Sequence, residues 1–377
     1  MKKHLKIVAD DKIPFLRGVF EDFADVVYLP GAGTTAADVR DADALITRTR
    51  TRCTRELLEG SSVRFVATAT IGFDHIDRQA LAELGIGWCN APGCNAAGVA
   101  QYITSALVSF PGIRQGQVLG VIGVGHVGRL VAAAGRALGM EVLLNDPPRQ
   151  EAGDPEDFVS LDEIRKRSDF ITLHVPLENG GAHPTVKMLG GEFFSGVKRG
   201  AVFFNSSRGE AAETEALKAA LRKGTLSAAV IDVWENEPAI DLELVRMARF
   251  STPHIAGYST DGKANGTAVS VRRVAAALGI AGFENWYPPV VPAPPTGNVI
   301  RLDGRQSAAF QVRRAVLHAY DIADDDWCLK TSPEKFERLR GGYPVRREFS
   351  FFRVIGAIPE AQKTLSALGF SADGGEK

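Results

Sequence analysis

Cysteine is scarce in this chain, with 4 in 377 residues. Cys53, Cys89, Cys94 and Cys328 form no C-x-x-C pair. That argues against a disulfide scaffold and a structural zinc site, and the expectation is a reducing, cytoplasmic setting with no metal. Excess charge of either sign is also missing. Lys and Arg total 44 against 45 for Asp and Glu, a net of -1. Nothing here calls for nucleic acid or an anionic membrane as a partner. No apolar run approaches a membrane span. The basic start MKKHLKIVAD leads into a strand-length run and does not read as a signal peptide. Repeats are lacking, and the one biased stretch is the proline-dense WYPPVVPAPPTGN at 286–298.

What is present is a hydrophobic content of 45%, enough for the cores of two or three domains. Short apolar runs at 5–10, 42–51 and 63–70 read as buried strands. The patterns FLRGVFEDF (15–23) and RELLEG (55–60) read as helices between them. A long amphipathic helix is predicted over 92–110, with Asn95 as N-cap and an end at Pro111-Gly112. The connection at 110–117 looks short. A second series follows, with strands at QVLGVIG, EVLLND, FITLHV, AVFFNSS and AAVIDV. Helices at VGRLVAAAGRALG and ETEALKAALRKG alternate with them, and RFSTPHIAGYS closes the series. Helical sequence resumes over 266–283.

The expected fold is therefore α/β: two Rossmann-like, doubly wound parallel-sheet domains and a smaller C-terminal α+β domain. The expected division is 1–94 with 255–285, then 95–254, then 286–377. Beyond the proline-dense boundary, AAFQVRRAVLHAYDIADDDWCLK reads as a helix and its exit. RREFSFFRVIG has strand composition, and the tail SADGGEK reads as frayed.

The stretch GVIGVGHVGR (120–129) carries Gly123, Gly125 and Gly128 in a G-x-G-x-x-G pattern. A strand precedes it, a helix opens on it, and Asp146 ends the next strand at the usual distance. Gly123 permits the tight turn, Gly125 lets backbone N–H groups approach a pyrophosphate, and Gly128 lets helix and strand pack closely. Asp146 suits an adenosine ribose and repels a 2′-phosphate, so NAD is the expected cofactor; Arg149 nearby is the feature that fits NADP. His126 and Val127 open the helix. His174, Val175 and Pro176 read as a wall of the same cofactor site, with Ser206 also assigned to it.

Three residues after predicted strands suggest chemistry. Arg208 offers a planar fork for a carboxylate and polarises the reacting carbon–oxygen bond. His254 suits the transfer of a hydroxyl proton. Glu237 would fix the tautomer of that histidine and stabilise its protonated form. Asp232, ending its strand, is a candidate receiver of a nicotinamide carboxamide. Arg48, Arg50 and Arg52 alternate in TRTRTR and share one face if the strand before them continues. They are candidates for an anionic substrate group; the alternative is a solvated basic edge. Lys263 and the pair Arg346–Arg347 are weaker ones, the pair acting only if the C-terminal unit reaches the cleft.

In this order, GVIGVGHVGR, HVPL, NSSRGE, DVWENEP and PHIAGYS resemble the D-2-hydroxyacid dehydrogenase superfamily over roughly residues 40–280. The resemblance implies that Arg208, Glu237 and His254 are the catalytic set. A narrower resemblance, carried by ATATIGFDHID, APGCNA, NDPPR, HIAGYSTDGKA and the C-terminal extension, covers nearly the whole chain. It points to a group that oxidises a phosphorylated 2-hydroxy acid with NAD and dimerises through that extension. By it, Thr49, Thr70 and Tyr258, with Arg48, contact substrate, and Asp146, Asp232 and Gly257 contact cofactor. Val175 stands where a threonine can occur, which leaves only a backbone or apolar contact. Two other readings remain: a different D-2-hydroxyacid dehydrogenase, such as one acting on phosphoglycerate, and an NAD-sensing binding protein.

Overall fold

The computed structural model describes residues 5–110 and 116–371. The expected helix stop at Pro111-Gly112, most of the 110–117 connection and nearly all of the tail lie outside the described residues. The chain divides into two compact units, residues 1–95 with 260–292 and residues 96–259 with 293–377. Residues 293–377, expected to stand alone, thus group with the second unit.

The first unit is built on β1 (Leu5–Asp10), β2 (Ala24–Leu29), β3 (Ala44–Thr47), β4 (Phe65–Thr68) and β5 (Gly87–Cys89). Their order is β2-β1-β3-β4-β5, all parallel. Alternate residues of β1 serve opposite faces. Ile7 and Ala9 pack with Val271, Val274 and Ala275 of the helix Thr260–Leu278, whereas Val8 joins Leu45, Val66 and Leu81. A sheet covered on both sides explains the near-continuous apolar runs.

Two expectations fail in this unit. FLRGVFEDF forms turns. Phe15 (φ 63°) and Gly18 (φ 81°) take left-handed backbone angles that a helix cannot contain. The stretch still buries Leu16 and Phe20, which is why its apolar spacing imitates a helix. The second failure is TRTRTR. β3 ends at Thr47, so the arginines lie on a loop and do not extend the strand.

The second unit holds β6 (Val118–Ile122), β7 (Glu141–Asn145), β8 (Phe170–Leu173), β9 (Ala201–Asn205), β10 (Leu226–Ile231) and β11 (Phe250–Ser251). The order is β11-β10-β9-β8-β6-β7, again parallel. On one face Phe170, Val202 and Phe204 meet Tyr102, Ile103 and Ala106 of the helix Ala96–Ser109. On the other, Ile171, Leu173 and Phe203 meet Phe193, Phe194 and Leu217.

C-terminal residues belong to these same cores: Tyr320 and Ile322 to the first face, Leu329 and Phe336 to the second. The predicted single helix at 308–330 is two, Ala308–Ala319 and Ile322–Thr331. Tyr320 is extended between them, and the Asp321 side chain accepts from Ala323 N to cap the second. RREFSFFRVIG supplies a 3-10 turn at Phe349–Phe351 before the strand β13 (Arg353–Ile355). That strand pairs in parallel with β12 (Val299–Arg301).

Candidate active site

Parallel sheets bind ligands at the carboxyl ends of their strands, beside the point where strand order reverses. In the second unit that point lies between β6 and β8. Each strand from β6 to β11 delivers a residue singled out in the sequence: Gly123, Asp146, His174, Arg208, Asp232 and His254.

The turn after β6 meets three separate steric demands. Gly123 has φ 83°, and a Cβ there would fall 2.6 Å from the His174 carbonyl oxygen. A Cβ on Gly128 would fall 2.0 Å from the Gly123 carbonyl oxygen. Gly125 caps the helix His126–Ala137, and a Cβ on it would meet nothing within 4 Å. Two glycines are thus required by the fold. The third stands at an open helix N-terminus, where an anion is favoured.

The Asp146 carboxylate accepts from Val124 N at 2.8 Å and from Arg149 N at 3.1 Å, and keeps lone pairs for ribose hydroxyls. The Arg149 side chain donates to Val124 O at 2.6 Å and holds Asp154 at 2.5 Å. Its guanidinium is committed inside the protein, which removes the feature favouring NADP. His174 Nε2 pairs with Thr172 Oγ1 at 2.9 Å, and burial pushes its pKa down to about 3. Val175 and Pro176 continue this loop, which the Thr185 hydroxyl ties by donating to Pro176 O at 2.6 Å. The Ser206 hydroxyl is buried with no hydrogen-bond partner among the described residues. An open helix end, a ribose-suited carboxylate and an unsatisfied hydroxyl fit a dinucleotide.

Asp232 is 1% exposed, and its oxygens accept from Ile255 N (2.8 Å), Ala256 N (2.9 Å) and Thr252 Oγ1 (2.6 Å). These bonds shape the loop that carries His254, Gly257 and Tyr258. His254 N donates to the Asp232 carbonyl oxygen at 2.8 Å, and His254 itself sits at φ 56°. A non-glycine residue in that region is strained and held by its surroundings.

His254 Nδ1 faces both oxygens of Glu237, at 3.0 and 2.8 Å. Glu237 also accepts from Trp234 N at 3.1 Å. Burial pushes the Glu237 carboxyl up. The His254 hydrogen bond, the charges of His254 and Arg340, and the Trp234 N–H outweigh that and hold it below the ordinary glutamate value. With Nδ1–H donated to a carboxylate, Nε2 is the atom left to exchange a proton with a ligand.

Arg208 follows β9, and its Nη1 donates to Ser207 O at 2.8 Å. The next residue packs against the turn that ends in Glu237: a Cβ on Gly209 would lie 2.1 Å from the Trp234 carbonyl carbon. Tyr258 lies four residues past His254, and its hydroxyl accepts from Arg340 Nη2 at 3.3 Å. Arg340 had no signal in the sequence, since the residues it meets lie more than eighty positions away.

The remaining candidates belong to the first unit. Arg48 Nη1 donates to Lys12 O at 3.1 Å. The Thr70 hydroxyl donates to Gly72 O at 2.9 Å and pairs with Thr68 Oγ1 at 2.9 Å. Thr49, Arg50, Arg52 and His75 line a cavity of about 380 Å³ within this unit. Arg346, a phosphate candidate in sequence, is instead buried, donating to Ala256 O at 2.5 Å and stacked 4.4 Å over Tyr320.

A dinucleotide turn beside a carboxylate-oriented imidazole defines an NAD-dependent oxidoreductase. Residues 109–256 match the NAD-binding domain of the D-isomer specific 2-hydroxyacid dehydrogenases, and residues 291–369 match a domain described only as of unknown function. The chain is 48% identical to the erythronate-4-phosphate dehydrogenase of Bacteroides fragilis, over 93% of this chain and 99% of that one. It is 39% identical to the enzyme of the same name from Pseudomonas putida, over 96% and 98%. Among solved structures, the D-lactate dehydrogenase of Aquifex aeolicus in complex with NAD and lactic acid superposes with a TM-score of 0.62. Its identity is 26%, covering 77% of this chain and 100% of that one. The chain belongs to the erythronate-4-phosphate dehydrogenase family, and NAD is its cofactor.

Proposed function

We propose that the chain oxidises the C2 hydroxyl of 4-phospho-D-erythronate to the ketone, giving (R)-3-hydroxy-2-oxo-4-phosphonooxybutanoate in pyridoxal 5′-phosphate biosynthesis. The bound nicotinamide supplies the hydride acceptor. His254 Nε2 takes the hydroxyl proton, while Glu237 holds Nδ1–H and balances the imidazolium as it forms. Arg208 grips the substrate carboxylate and polarises the C2–O bond. The Glu237–His254 pair carries this reading.

Gly123, Gly125, His126, Val127, Gly128, Asp146, His174, Val175, Pro176, Ser206, Asp232 and Gly257 serve the cofactor in this reading. Arg48, Thr49, Thr70 and Tyr258 serve the substrate. Support for a phosphorylated substrate comes from Arg50 and Arg52, which line one cavity with Thr49. Residues 286–377 act as a dimerisation domain by family likeness. The four free cysteines suit the reducing cytoplasm.

The test follows NADH formation with 4-phospho-D-erythronate, 3-phosphoglycerate, glycerate and D-lactate. The first should give the highest kcat/KM. His254→Ala should lower kcat by about a hundredfold or more while NADH binding persists. An enzyme that binds NADH but oxidises none of the four would sink the proposal in favour of a sensor.

A further inference from the structure

Residues 291–369 match a domain with no assigned role, yet part of it reaches the catalytic pair. The segment Phe336–Gly341 is seated by Phe336, which is 1% exposed in the core of the second unit. Its Arg340 places Nη1 3.6 Å from Glu237 Oε2. Nη2 of the same guanidinium donates to the Tyr258 hydroxyl at 3.3 Å, and its central carbon lies 5.8 Å from the Tyr258 ring centre. The groups facing Glu237 are therefore His254, Arg340 and the Trp234 N–H. Those facing Arg340 are Glu237, Tyr258, the Phe336 ring and Glu337 at 3.6 Å.

A second C-terminal arginine supports the same loop from behind. Arg346 donates to Ala256 O and to the Tyr343 hydroxyl. Glu348 accepts from Ser259 Oγ at 2.7 Å. The loop 254–259 is thus bonded at both ends by residues of the C-terminal region.

We propose that Arg340 is a positioning residue for the dehydrogenase reaction, holding the Glu237 carboxylate and the Tyr258 hydroxyl in place around His254. A fork is needed because one cation must meet two groups at once. Its charge also balances Glu237 in the resting enzyme. Without it, an unshielded carboxylate would favour the imidazolium before substrate arrives, and a protonated His254 cannot accept the hydroxyl proton.

This inference rests on the reading of His254 as the base. The experiment compares Arg340→Gln and Arg340→Lys with the parent enzyme, and repeats Arg340→Gln in a Glu237→Gln background. It reads kcat and KM for 4-phospho-D-erythronate, NADH affinity by fluorescence, and the pH profile of kcat/KM. Arg340→Gln should lose about ten- to a hundredfold in kcat/KM, keep its NADH affinity, and show its acid limb at higher pH. Arg340→Lys should recover part of the rate and return the limb toward its original position. In the Glu237→Gln background the same change should cost little.

Parent-like kinetics in Arg340→Gln would overturn the proposal. So would a loss with an unmoved acid limb, or an equal loss in both backgrounds, since each describes a purely structural residue. If the glutamine variant does not fold, parent-like kinetics in Arg340→Lys would overturn it. The reading of the base fails separately, through a fully active His254→Ala.

Discussion

Glu237 shows how one carboxyl group stays charged while largely out of water. Burial alone would favour its neutral form, and the imidazole, the guanidinium and one backbone N–H outweigh that cost. His174 is the opposite case, because no opposite charge compensates its burial. It stays neutral in the native state down to about pH 3, whereas an unfolded histidine takes a proton near pH 6.5. Between those values the unfolded chain binds more protons, so stability falls as pH falls. This contribution is complete above about pH 6.5 and lost progressively below it. We expect the melting temperature to drop between pH 6.5 and 5, and to drop less in His174→Gln. Equal slopes for the two proteins would show that His174 is not what makes the fold acid-sensitive. The histidine is plain in HVPL, but its burial is not, since that depends on the packing after β8.

At the scale of elements, the glycine turn was fully legible and the first unit was not. Each glycine of GVIGVGHVGR answers a local steric condition, and local conditions are written in local sequence. FLRGVFEDF failed because its apolar spacing suits a helix while its backbone must reverse at Phe15 and Gly18 before β2. β2 itself went unrecognised for the same reason, since the supposed helix ran up to its first residue. The alternation of TRTRTR depended on where β3 stops, which is set by pairing with β4.

The turn also separates two kinds of glycine by experiment. Gly128→Ala would push a methyl against the Gly123 carbonyl oxygen, so both the melting temperature and NADH affinity should fall. Gly125→Ala has open space and should melt as the parent does. Its NADH affinity should weaken by about tenfold or more, as expected if a pyrophosphate approaches that backbone closely. Unchanged NADH affinity in Gly125→Ala would place the pyrophosphate elsewhere.

For the molecule as a whole, the proline-dense stretch at 286–298 marks a change of composition but not the end of a folding unit. The chain beyond it returns Tyr320 and Ile322 to one face of the second sheet, and Leu329 and Phe336 to the other. Sequence could not reveal this, because an apolar residue in a short helix does not name the core it joins. A chain ending at residue 292 would leave both cores open and the Glu237 carboxylate without Arg340. We expect it to be insoluble or to melt without cooperativity, beyond any change in oligomeric state. The gentler form of the experiment is Phe336→Ala, which empties one site in an otherwise complete chain. Truncating a fully buried phenylalanine costs about 3–5 kcal/mol, so the melting temperature should fall by roughly 5–15 °C. The same variant should lose activity in step, because the segment carrying Arg340 is anchored by that ring. A truncated protein that is soluble, melts cooperatively and turns over at the parent rate would show that the C-terminal region serves assembly alone.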